Sequence, residues 1–143
     1  MEAVWSIFLR LMKDYEALTM TEEEMYGIFQ DNVVIALSTL QLKGVMEDVE
    51  IVDGEFNRSL TSVEQLIVGY SLVVAWLTPY LYSSELLMAQ LTSTDFTQFS
   101  SANRLRSYIK LHNEAEARLN QAILDYDTRM EYSSIRKEVR KHG

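Results

Sequence analysis

Apolar residues recur along this chain at helical spacing, and one stretch departs from that rhythm by being apolar throughout. Residues 66–82, LIVGYSLVVAWLTPYLY, form the longest apolar run, and no charge falls between Glu64 and Glu85. The uncharged window 65–84 is close to the ~20 residues that cross a bilayer. Its interior, however, holds Gly69, Ser71 and Thr78-Pro79, and Tyr70, Trp76, Tyr80 and Tyr82 are spread along it. A spanning helix gathers its aromatic residues at the two ends and carries basic flanks. Here the nearest bases are Arg58 and Arg104. The pattern therefore predicts a central helix covered on all sides by other helices. Thr61 and Glu64 form a Thr-x-x-Glu capping box at its start. The helix is expected to reach about Leu91, with a kink near residues 75–79, because Pro79 cannot donate to the Ala75 carbonyl.

The remaining stripes are amphipathic. Val4, Ile7, Phe8, Leu11, Met12, Tyr15 and Leu18 predict a helix over residues 3–18, one that packs on its own domain or docks on a partner or membrane surface. A second capping box, Thr21 to Glu24, opens a helix carrying Met25, Ile28, Phe29, Val33, Ala36, Leu37 and Leu40. It should stop at Lys43-Gly44. Glu22, Glu23 and Glu24 suit the positive end of that helix dipole, and as consecutive residues they point in different directions and cannot chelate a metal together. Residues 45–60 break the pattern around Asp53-Gly54, a strong turn dipeptide, so this segment is a short β-hairpin or a loop pinned by Ile51 and Phe56. Either form serves as a subunit contact or as an ordinary connection.

Residues 92–100, TSTDFTQFS, show no helical period and predict a loop, with Phe96 and Phe99 tucked under the hairpin or meeting a partner. Ser100 or Ser101 then caps a long helix over residues 101–130. Its stripe is Leu105, Tyr108, Ile109, His112, Ala115, Leu119, Ala122, Ile123 and Tyr126. The nine-residue loop favours an antiparallel hairpin with the central helix. The fold class expected is thus all-α: a small bundle with a central kinked apolar helix and a long C-terminal helix. Residues 1–131 make a single helical domain. Residues 132–143 make a basic tail that is frayed until bound, with Ile135 and Val139 as its apolar anchors and Arg136, Lys137, Arg140 and Lys141 around them.

Composition narrows the function classes. At 143 residues the chain can build a core without metal or disulfide support, and it has no cysteine. That excludes disulfides and thiolate metal sites. The net charge of −8 is unevenly distributed. Residues 1–60 hold 12 acids and 4 bases, whereas residues 104–143 hold 6 acids and 9 bases. An acidic front and basic tail argue against general nucleic-acid coating and suit head-to-tail association between unlike surfaces. The chain contains no Gly-rich phosphate loop, no G-x-S-x-G and no H-E-x-x-H. His112, alone on its stripe, reads as a hydrogen-bonded core or boundary residue. No catalytic, cofactor-binding or metal site is expected.

The layout resembles a known group of proteins. Acidic amphipathic helices lead to an apolar helix ending YSSELLMAQL, followed by DFTQFSSANRL and a long helix ending AILDYDTRM. Over roughly residues 20–130 this is similar to the head–tail connector, or neck adaptor, proteins of long-tailed bacteriophages of Gram-positive hosts. The resemblance implies a homo-oligomeric ring beneath the portal, joining it to head-completion and tail proteins and extending the DNA channel. It also implies a protein of the virion, present in the host cytoplasm during assembly, that touches DNA only in passing and needs no membrane. Such adaptors often grip the portal with a C-terminal tail, a role that would fall here to Arg136, Lys137, Arg140 and Lys141. Two other classes fit the residues: a helical interaction module, such as a tail assembly chaperone or regulatory adaptor, and a small single-span membrane protein built on residues 65–84.

Overall fold

The computed structural model describes residues 1–13, 21–90 and 96–142, with side chains for all of these except 13, 80, 82–90, 96–105 and 140–142. In chain order these form helix α1 (Glu2–Lys13), helix α2 (Glu22–Leu42), strands β1 (Ile51–Val52) and β2 (Glu55–Phe56), helix α3 (Ser62–Gln90) and helix α4 (Phe96–His142). The all-α class expected from the sequence is what is found, with α3 at its centre: α1, α2 and α4 each pack against it.

Local chemistry sets most of the boundaries. At the start of α3 both bonds of the capping box are made: Glu64 N donates to Thr61 Oγ1 at 3.2 Å, and Thr61 N donates to Glu64 Oε1 at 2.9 Å. At the start of α2, Glu24 N donates to Thr21 Oγ1 at 3.2 Å. The end of α2 is a Schellman motif, with Val45 N bonded to Leu40 O, Gly44 N bonded to Gln41 O, and Gly44 at φ 77°. The segment after it forms a hairpin, with Ile51 opposite Phe56 and Val52 opposite Glu55. Asp53 and Gly54 sit at φ 52° and 78°, the left-handed pair that a two-residue type I′ turn needs.

Helix α3 continues unbroken through Pro79. The Thr78 hydroxyl donates to Val74 O at 2.7 Å, on the turn that the proline disturbs. Ile67, Val68, Leu72, Val73 and Leu77 are fully buried. Coverage is less complete than the apolar run suggested: Leu66 is 41% exposed, Trp76 is half-buried, and Thr78 and Pro79 face solvent. Three helices around one leave part of its circumference open. Among the described residues, no helix is long and apolar enough to cross a membrane.

Helix α1 buries Val4, Phe8 and Met12 in the common core, so this face serves the home domain. Tyr15 and Leu18 lie outside the described residues. Where α1 crosses α3, Gly69 allows close approach: a Cβ there would lie 2.5 Å from Ile7 Cγ2. Trp5 meets Tyr26 and Phe29 edge-on, with ring centroids 5.0 and 5.2 Å away, which joins α1 to α2.

Helix α4 is longer at both ends than its pattern predicts. It begins at Phe96, so the 92–100 segment is not all loop, and Ser100 and Ser101 lie inside the helix instead of capping it. At the other end, the helix runs on through residues 132–142. Both differences have one cause. Residues 96–142 contain neither glycine nor proline, and extending an existing helix costs far less than starting one.

Candidate assembly surfaces

Two features of α4 bear on function: what ties it to the bundle, and what it carries past the bundle. The tie is a polar cluster around Glu64, whose side chain is buried although it sits in the first turn of α3. Arg58 grips it with two bonds, Nη1 to Oε1 at 3.0 Å and Nη2 to Oε2 at 2.7 Å. The same guanidinium reaches Asp48, Nε to Oδ2 at 2.7 Å. The Tyr126 hydroxyl donates to Glu64 Oε2 at 3.3 Å. The Arg58 bonds hold the Glu64 and Asp48 carboxyls below the usual carboxylate range and push the guanidinium further up. Burial first, then the neighbouring Glu64 charge, pushes the Tyr126 phenol up. A carboxylate so fully supplied with donors stays ionised and suits a clasp between loop, α3 and α4 better than proton transfer.

Farther along, the single Thr78 hydroxyl hydrogen goes to Val74 O, so Thr78 Oγ1 accepts from His112 Nε2 at 3.0 Å. His112 is a hydrogen-bonded boundary residue, as its place on the stripe suggests. The Glu64–Tyr126 and Thr78–His112 bonds fix α3 and α4 as antiparallel, since numbers rise on one as they fall on the other. In that register Ser62 stands level with Thr128. Residues 129–142 therefore run past the start of α3 as an arm about 20 Å long, at 1.5 Å per residue.

The arm changes face. Tyr108, Leu111, Ala115 and Leu119 turn into the core, with Ala122 and Tyr126 packed beside them. Beyond Tyr126 the positions that continue this face are Arg129, Met130, Ser133 and Lys137. The apolar residues move to the other side. Thr128, Tyr132, Ile135 and Val139 form a stripe roughly 130° around the helix from the core-facing one, at 100° per residue. Tyr132, Ile135 and Val139 are 63, 59 and 66% exposed.

Of the residues singled out from sequence, Ile135, Arg136, Lys137 and Val139 lie exposed on this arm. Arg140 and Lys141 are in its last turn, and their side chains fall outside the described set, as do those of Phe96 and Phe99. The two phenylalanines belong to the opposite end of α4 and do not join the arm in one site. Sequence reasoning missed Tyr132, which completes the stripe, because it was assigned to the tail boundary. It also missed the outward side of α2, where Val34, Ile35 and Leu42 are 54, 56 and 89% exposed. The signal for the latter was present: α2 has apolar residues on both sides.

Among the described residues no three acidic or histidine side chains converge as a metal site. Comparison with family models, with curated proteins and with solved structures gave no match.

Proposed function

We propose that this chain is a structural adaptor, a non-catalytic subunit that joins a larger assembly through surfaces its own bundle leaves uncovered. The observation that carries this reading is the change of face on α4. A helix that ended its work with the home core would have no reason to raise a second apolar stripe on the side facing away from that core. The exposed apolar residues of α2 add a second uncovered surface. In its most specific form the reading is a ring subunit of a phage neck, joining the portal to head-completion and tail proteins around the DNA passage. That form is supported by the helical layout and by the DFTQFSSANRL segment.

The experiment is to truncate the chain after Glu131. The shortened protein should keep its circular dichroism spectrum and melting temperature, because every described side chain it loses is exposed. It should fail to add mass to a purified portal ring that the full chain joins. Undiminished incorporation of the truncated chain would overturn the arm as the docking element. Full-length chain that never associates with a portal, but does bind tail components absent from purified particles, would replace the connector with an assembly chaperone.

A further inference from the structure

The stripe on the arm has a heptad spacing. With Tyr132 and Val139 at a positions, Thr128 and Ile135 fall at d. The flanking positions then separate by sign: Arg129 and Arg136 occupy e, while Glu131 and Glu138 occupy g. The outward b, c and f positions hold Ser133, Ser134, Lys137 and Met130. We infer that the arm's occupant is a second copy of the same arm, lying parallel and in register as a short two-stranded coiled coil. This rests on the reading of the arm as the docking element and names its partner.

Charge complementarity selects both the partner and its direction. In a parallel pair each g residue faces the e residue five places later on the other helix, so Glu131 faces Arg136 of the second copy, twice by symmetry. In an antiparallel pair g faces g and e faces e, which would set glutamate against glutamate and arginine against arginine. Within its own helix neither charge is served. Glu131 has Asp127, Thr128, Ser134 and Ile135 three and four places away, and Arg136 has Tyr132, Ser133, Val139 and Arg140. Intrahelical pairs form at those spacings. The Arg136 guanidinium instead lies 5.7 Å from the centre of the Tyr132 ring, which places it beside the apolar seam.

Two further points fit. The seam points away from the bundle, so a second arm can approach without meeting α1 or α3. Two heptads alone would be too short to pair as peptides, but this arm prolongs a helix already held by the core, so nucleation is already achieved.

The test uses the full chain at low ionic strength, with association followed by sedimentation equilibrium. Glu131→Arg and Arg136→Glu should each weaken self-association roughly tenfold, since each turns two attractive pairs repulsive. Mixed together, the two variants should recover parental association, because every g–e contact between unlike chains is again attractive. Ile135→Cys should crosslink to itself as a dimer under mild oxidation. A mixture no tighter than either variant alone, or a parent chain that stays monomeric at millimolar concentration, would overturn the pairing. The adaptor reading fails separately, by a full-length chain that adds no mass to a portal ring and binds no tail component.

Discussion

Tyr126 and Glu64, 62 positions apart in the chain, meet at 3.3 Å, the phenol donating to a buried carboxylate that Arg58 already grips. This contact pins α4 to the start of α3 at the point where the arm departs. Removing Arg58 would leave Glu64 buried without its counter-charge. Arg58→Ala should therefore cost about 3 kcal/mol, the low end of the range for breaking a buried pair on one side, because the Arg58 side chain is a third exposed. Tyr126→Phe should cost only about 1 kcal/mol, one hydrogen bond among several. Urea denaturation of the two variants gives both numbers.

The same cluster sets an acid limit on stability. Glu64 and Asp48 have folded pKa values below their unfolded ones, by virtue of the Arg58 bonds. The unfolded chain thus binds more protons near its ordinary carboxylate pKa of about 4. Stability is full above about pH 5 and falls as pH drops through that value and below it. Glu64→Gln should flatten the fall between about pH 5 and 3. Tyr126 acts at the other extreme: its raised pKa means a contribution present below about pH 10 and lost as the phenol ionises in the fold.

Gly69 should resist substitution. Alanine would improve helix propensity by about 1 kcal/mol, but its methyl would lie 2.5 Å from Ile7 Cγ2, a branched methyl with little freedom to move. Gly69→Ala should lower the melting temperature, and Gly69→Leu should lower it much more. Ile7→Ala is itself destabilising, yet the Ile7→Ala/Gly69→Ala pair should lose less than the sum of the two single changes.

The antiparallel register of α3 and α4 is open to direct measurement. Cysteines at Thr78 and His112, whose side chains touch, should join with a short bismaleimide within one chain. Cysteines at Thr78 and Tyr126 should not, since Tyr126 stands level with Glu64, well over three helical turns away.

Adjacent residues of α3 should differ sharply. Leu77 is fully buried, and Leu77→Ala should cost about 2–5 kcal/mol. Trp76 is only half-buried, and Trp76→Ala should cost about half as much despite the larger side chain. Similar losses at both positions would mean that the outer side of α3 is covered.

The sequence by itself determined the helices and most of their ends. Capping boxes, the Lys43-Gly44 stop and the Asp53-Gly54 turn act through neighbours three to five residues away, and such local chemistry is written in local spacing. It also identified the apolar core stripes of α1, α2 and α4. Tertiary structure alone decided which helix faces meet, and therefore what is left uncovered. Glu64 could be read as a capping residue, but its burial under Arg58 and Tyr126 depends on partners 6 and 62 residues away. Gly69 carries no pattern at all until Ile7 is laid across it. The full extent of α4 is not legible in the sequence because periodicity reports burial, and an exposed helix extended from a fixed one needs none. The arm's stripe is ordinary in spacing, and only the direction of the bundle shows that it faces away from the core that the rest of α4 packs against.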